Sequence, residues 1–249
     1  MDITSVRYIN LARNWHRNLL ISALLKKLPY KVLRCPGTLI TDFNDPGIRK
    51  YLSLGFEEYL DPNRIKGVAG CWIAHSHVLE EVTERSGITV VLEDDFVCQR
   101  GFFTLALKMV KEFNRDFDVI LFDTWGKGPL DNHKISDNIY RPRNFSHPFY
   151  SGSHCLFVNN SRIPKILDLK LNSKVKDYDG YLIANDNIVV YIFYTGLCGS
   201  RNIGSDIYND WRSKYGIAMK LVIFTVSKIR ELLALVFERK QRDRPSDQV

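Results

Sequence analysis

Strands alternating with helices over the first two-thirds of the 249 residues predict an α/β fold built on a parallel sheet. Two apolar, β-branched runs, Ile88–Leu92 and Asp118–Phe122, read as buried central strands. Each runs straight into acid, Glu93-Asp94-Asp95 after the first and Asp123 after the second. Ligands of such sheets bind beyond the carboxyl ends of the strands, so four carboxylates are expected around one crevice.

The elements follow in order. Ser5–Leu11 reads as a strand, and Asn14–Lys27 has helical apolar spacing that Pro29 ends. Tyr30–Arg34 is a short strand closed by Cys35-Pro36-Gly37. Residues 38–66 read as loop with one short helix near Pro46–Leu54, because Asn44-Asp45-Pro46-Gly47 is a turn signal. Cys71–Glu84 is a predicted helix that Gly87 ends, and Phe102–Phe113 is another. Residues 125–148, rich in Gly, Pro, Asn and His, read as a long surface loop. Cys155–Val158 is a strand, and Ser161–Leu169 a helix capped by Ser161. Asp179–Ala184 is helical and Ile188–Phe193 a strand.

Composition narrows the function. With 45% apolar and 25% charged residues the chain is neither disordered nor collagen-like. The formal charge of +7 raises the question of an anionic partner. From Arg212 onward nine basic residues face four acids, so this segment carries +5 of the +7. Residues 1–211 are near neutral, unlike a nucleic-acid binder with its basic stripe across the domain. Five scattered cysteines without a Cys-x-x-Cys pair speak against a disulfide framework or zinc knuckle and suit a reducing compartment. No signal-peptide pattern opens the sequence, and no stretch approaches the ~20 apolar residues of a membrane span.

The acidic triplet is the sharpest local feature. Three adjacent acids after a buried strand repel one another, and a hard divalent cation would relieve that repulsion. In extended geometry Glu93 and Asp95 point the same way and could share one ion. A solvated acidic turn is the competing reading, with equal weight. His75 and His77 are two apart on a predicted helix and cannot chelate one ion. The phosphate-binding and dinucleotide glycine motifs are absent, as is the nucleophile elbow.

Gly70-Cys71-Trp72-Ile73-Ala74-His75, followed by Val91-Leu92-Glu93-Asp94-Asp95, resembles the "G-C-x-x-S-H … L-E-D-D" core of glycosyltransferase family 25. That family includes bacterial lipooligosaccharide galactosyltransferases and collagen galactosyltransferases. Tyr8-Ile9-Asn10-Leu11 with Arg13 and Arg17 resembles the family's opening, and Ser153–Leu167 and Val175–Leu182 resemble later segments. The resemblance covers residues 5–207. Val68, Ala74 and Ile163-Pro164 depart from the pattern, standing where it has Glu, Ser and Gly-Ala.

The resemblance implies a GT-A-type, Rossmann-like mixed sheet flanked by helices, a UDP-sugar donor and Mn²⁺ or Mg²⁺. It makes Asp95 the direct metal ligand with Glu93 beside it at the metal, and lets Glu93 or Asp94 reach the ribose or a metal-bound water. It places Asn10, Arg13 and Arg17 near the uridine or diphosphate, and His75 in the wall of the donor pocket. For both arginines an exposed helix face competes. The bacterial relatives look like inverting enzymes, which need a base on the acceptor side. Asp179 is the expected catalytic base, with Asp177 and Asp186 as alternatives and a helix cap as the competing role. No histidine follows His154 to serve as a third ligand, which leaves Ser205-Asp206 as a substitute.

The expected organisation is a glycosyltransferase domain over residues 1–211 and a basic amphipathic helical tail over 212–249. Ile217–Phe237 is apolar with basic flanks, which suits either the surface of an anionic bilayer or packing on protein. The expected activity is inverting transfer of a hexose, galactose first, from a UDP-sugar to a lipid-linked saccharide in lipopolysaccharide or other surface-glycan synthesis. The expected location is the cytoplasm, peripheral on the inner face of the membrane, with no nucleic-acid partner. A metal-dependent phosphoesterase and a non-catalytic membrane-surface scaffold are the alternatives.

Overall fold

The computed structural model describes residues 1–42, 44, 62–124, 133–142, 152–170 and 177–201. They belong to one compact unit, Met1–Arg201. The expected helix near residue 46, the boundary at 211/212, Ser205-Asp206 and the basic tail lie outside the described residues. No helix among the described residues is long and apolar enough to cross a membrane.

The predicted strands exist, and they form the mixed sheet that the family resemblance implies, not the purely parallel one read from strand–helix alternation. In chain order β1 is Ile3–Asn10, β2 Val32–Pro36, β3 Ile88–Glu93, β4 Phe96–Cys98 and β5 Val119–Phe122. Then come β6 His133–Ser136, β7 Ile139–Arg141, β8 Cys155–Asn159, β9 Val190–Phe193 and β10 Cys198–Ser200. The main sheet has the order β2-β1-β3-β8-β5-β9-β7-β6, and β4 pairs with β10 apart from it. β1 runs parallel to β2 and β3, and β5 parallel to β9. β8 enters antiparallel between β3 and β5. A strand inserted with reversed direction brings its beginning, not its end, to the edge where β1 and β3 finish.

Helices cover both faces, as an α/β sheet requires. They are α1 Trp15–Leu25, α2 Pro62–Glu80, α3 Phe102–Glu112, α4 Ile163–Lys170 and α5 Tyr178–Ala184. Ile88, Val90 and Leu92 of β3 face a core that includes Ile21 and Leu25 of α1 and Phe102, Phe103, Ala106 and Val110 of α3. By the two-residue alternation of a strand, Thr89, Val91 and Glu93 face the other side. There α2 packs against α4 and α5. Trp72, fully buried, meets Tyr178 edge-on at 5.5 Å and lies 4.7 Å from Tyr181.

Four local expectations are corrected. Helix α2 starts at Pro62 rather than Cys71 and ends at Glu80 rather than Glu84. Gly67 and Gly70 weaken its helical signal, yet Pro62 is tolerated in a first turn. Gly70 is required there: a Cβ would stand 2.4 Å from the Thr38 carbonyl oxygen. The stretch taken for one long loop contains the β6–β7 hairpin, turned at Asn138 with φ +64°. Ser161 is not a cap: it lies in a 3-10 turn, Asn160–Arg162, that leads into α4, and the turn is capped by Asn159, whose side chain accepts the Ser161 N–H. The strand pair β4–β10 was not anticipated, and it sets Cys98 opposite Cys198.

Candidate functional site

The site gathers at the edge where β1 and β3 end. Asn10 is the last residue of β1, and Glu93 is the last of β3 with Asp94 and Asp95 in the turn beyond. Asn10 is buried and donates from Nδ2 to Asp94 Oδ2 at 2.8 Å. Arg17, one turn into α1, donates from Nη1 to Asp94 Oδ1 at 2.8 Å. Arg34 Nε donates in turn to Asn10 Oδ1 at 3.1 Å. Asp94 is therefore braced at both oxygens by two residues of the N-terminal strand–helix unit. Arg13 stands exposed in the turn before α1, so the exposed alternative fits it and not Arg17.

Glu93 points elsewhere. His75 Nε2 of α2 lies 3.3 Å from its Oε1, and Ser153 Oγ donates to the same oxygen at 2.5 Å. Burial works against the Glu93 carboxylate, but these partners outweigh it and hold the group below the ordinary glutamate range. The His75 ring stacks on Tyr178 with centroids 4.4 Å apart. Cys71, one turn before His75, completes a cluster with Glu93 in which the three ligand atoms lie within 4.8 Å of one another. Burial, and then the charges of Glu93 and Asp179, push the Cys71 thiol well up.

Asp95 has a different environment. Its Oδ1 is shut off from solvent with no hydrogen-bond partner among the described residues. Burial, then the neighbouring charge of Glu93, raises its carboxyl to about 8. A carboxylate oxygen kept dry and unpartnered beside other acids is a fit for a hard cation. Of the acidic triplet, Asp95 Oδ1 is the oxygen whose surroundings fit the implied Mn²⁺ or Mg²⁺, since Asp94 is engaged at both oxygens and Glu93 by His75 and Ser153.

Asp179 opens α5 and is buried. It accepts the Gly152 N–H at 2.7 Å and the Gly180 N–H at 3.0 Å. Gly152 sits at φ +138°, a conformation side chains rarely adopt, and this aims its amide at the carboxylate. Burial raises Asp179 to about 6 despite these two donors, with the charges of Asp177 and Glu93 adding to the shift. Asp186, the alternative base, is exposed beyond the far end of α5. It lines a separate cleft of about 340 Å³ with Arg141, Asn185 and Ile188.

Asp123 does not join the crevice acids. Its carboxylate accepts the amides of Thr195, Gly196 and Cys198 and the Thr195 hydroxyl. It is a loop anchor, at φ +46°. Ser153, Arg34 and Cys71 are site residues to which sequence reasoning gave no role. The four-residue spacing of Cys71 and His75 on one helix face was the available signal for Cys71; none existed for Ser153. His154 has 1% exposure, no partner at either ring nitrogen among the described residues, and a backbone oxygen that accepts the Glu93 N–H.

No family model matches the sequence, and no curated protein matches it. Among solved structures it is similar to TarS residues 1–349 of S. aureus in complex with UDP-GlcNAc, at 15% identity and TM-score 0.40. That match covers 85% of this chain and 62% of the other, so this chain spans less than two-thirds of that structure. It is also similar to the inositol-1-phosphate CTP transferase of T. maritima, at 10% identity and TM-score 0.47, covering 90% and 96% of the two chains. A third is a glycosyltransferase involved in glycosylation of the major capsid of PBCV-1, at 8% identity and TM-score 0.35, covering 68% and 67%.

Proposed function

We propose that the chain is a nucleotide-sugar-dependent glycosyltransferase, an inverting enzyme that moves a hexose from a UDP-sugar to a saccharide acceptor. The observation that carries this reading is the division of labour among the carboxylates at one sheet edge. Asp94 is braced by Asn10 and Arg17, Asp95 keeps a dry free oxygen, and Asp179 is held apart as a buried group titrating at about 6. Acids that merely solvate a turn have no reason to differ as Asp94 and Asp95 do.

In this reading Asp95 holds the donor's divalent ion, Mn²⁺ or Mg²⁺, which when bound supplies positive charge for the departing diphosphate. Arg17 and Asn10 fix Asp94 so that its carboxylate presents one orientation towards the donor. His75, stacked on Tyr178, forms part of the pocket wall. Asp179 accepts the proton of the acceptor hydroxyl as that oxygen attacks the sugar from the side opposite the diphosphate. A pKa of about 6 leaves it ionised at neutral pH yet more basic than an ordinary aspartate. Galactose as the sugar, and a lipid-linked glycan at a membrane surface as the acceptor, follow from the family resemblance.

The reading is tested by incubating the full chain with UDP-galactose, Mn²⁺ and a panel of saccharides. UDP release that requires an acceptor is the expected result. Hydrolysis of phosphate monoesters with no dependence on a saccharide overturns it in favour of the phosphoesterase alternative. No metal-dependent nucleotide binding at all favours the scaffold.

A further inference from the structure

Cys71, His75 and Glu93 bring a sulfur, a ring nitrogen and a carboxylate oxygen within 4.8 Å of one another. Cys71 and His75 stand one turn apart on α2, and side chains at i and i+4 share a helix face. Glu93 ends β3, so the three donors come from regular elements rather than a loop. Gly70 seats α2 against the Thr38 carbonyl, and stacking on Tyr178 fixes the plane of the His75 ring.

The spacing identifies what fits between them. His75 Nε2 and Glu93 Oε1 are 3.3 Å apart. A charge-assisted N–H···O bond closes to about 2.7–2.9 Å. Two ligand atoms each about 2.1 Å from one tetrahedral ion stand about 3.4 Å apart, and a sulfur ligand stands about 3.6 Å from either. The observed separation matches that edge while also lying within hydrogen-bond reach, so the pair accommodates an ion without having to move apart. Cys71 Sγ stands at most about 1.2 Å beyond that distance from either partner.

We propose that Cys71 Sγ, His75 Nε2 and Glu93 Oε1 form a binding site for a borderline-soft divalent ion of the Zn²⁺ class. Thiolate and imidazole select such an ion over Mg²⁺ or Mn²⁺. Binding replaces the S–H bond with a sulfur–metal bond and releases one proton to solvent. Three protein ligands leave the fourth position for water or an exogenous ligand. Ser153 Oγ donates to Glu93 Oε1 and so helps fix the orientation of the carboxylate. This site is distinct from the hard-cation site proposed at Asp95: the last residue of β3 serves the one and the turn after it the other.

The full chain, stripped with a chelator, is titrated with Co²⁺ and followed by absorption. The proposal expects one Co²⁺ per chain, with a near-ultraviolet thiolate-to-cobalt charge-transfer band and intense tetrahedral visible bands, both displaced by one equivalent of Zn²⁺. Cys71→Ser loses the charge-transfer band, whereas Cys98→Ser, a thiol of β4, keeps it. Circular dichroism establishes that each variant is folded. The absence of a charge-transfer band in the unmodified chain overturns the site whatever the variants do, and so does its persistence in folded Cys71→Ser. Asp95→Asn is expected to keep the cobalt spectrum while losing Mn²⁺-dependent UDP binding. Loss of both overturns the existence of two sites.

Discussion

Arg17 and Asp94 form an ion pair with 2.8 Å between Nη1 and Oδ1, each side chain only 10% exposed. The pair joins α1 to the turn after β3 across a gap of 77 residues. It makes the acidic triplet a structural joint as well as a charged edge.

Removing Asp94 takes from Arg17 its carboxylate in a place where water is scarce. Asp94→Ala is expected to destabilise the protein by about 3 kcal/mol, in the range for breaking a buried pair from one side. Combining it with Arg17→Met should recover part of that loss. Urea unfolding of the two single variants and the double variant measures the coupling. Strict additivity would show that the pair contributes nothing.

Asp95 and Asp179 bind their protons more tightly in the folded chain than at the ordinary aspartate value of 3.8, at about 8 and about 6. Each contributes stability that is full below pH 3.8 and is lost as pH rises through its folded pKa. In metal-free protein the melting temperature should fall from about pH 4, more steeply up to about pH 6, where both groups contribute, and less steeply from there to about pH 8, where Asp95 alone does. Asp179→Asn should make the fall below about pH 6 shallower, and Asp95→Asn should remove the fall between about pH 6 and about pH 8. A melting temperature that rises across the same range contradicts the burial account of both groups.

Gly70 has no room for a side chain, because a Cβ would meet the Thr38 oxygen at 2.4 Å. Gly70→Ala should cost about 1–3 kcal/mol by overpacking a helix against backbone that has little freedom to shift. It should also lower nucleotide-sugar turnover by displacing Cys71 and His75. Thermal unfolding and acceptor-dependent UDP release check the two effects together.

Asp123 serves the 195–198 loop through four hydrogen bonds. Asp123→Ala should destabilise by about 1–3 kcal/mol, because three loop amides and a hydroxyl lose their acceptor at once. It should leave the affinity for UDP with Mn²⁺ unchanged. A selective loss of that affinity in folded protein would return Asp123 to the site.

The strands and most helices were legible because their apolar periods are strong: Ile88–Glu93 and Val119–Phe122 are buried along nearly all their length. The direction of β8 was not legible, since a fully buried strand such as Cys155–Asn159 carries no alternation and reads the same either way. Gly67 and Gly70 weaken the helical signal at the start of α2, and at Gly70 the low propensity hides a close approach to Thr38 that only the fold reveals. In the site, Asn10, Arg17, His75, Glu93, Asp94 and Asp95 were anticipated as neighbours. Their division was not: strand alternation put Glu93 and Asp95 together, whereas the turn after β3 leaves Glu93 to His75 and Ser153. Side-chain partners 18 and 60 residues away decide that, and no local pattern reports them.

The central claim is that Asp95 holds the ion that couples to a nucleotide-sugar donor. Isothermal titration of the full chain with UDP, with and without Mn²⁺, tests it directly in the unmodified protein and in Asp95→Asn. The account predicts UDP binding that requires Mn²⁺ in the first and is lost in the second, with circular dichroism unchanged. Equal UDP binding by the two proteins, or binding indifferent to Mn²⁺, would contradict it.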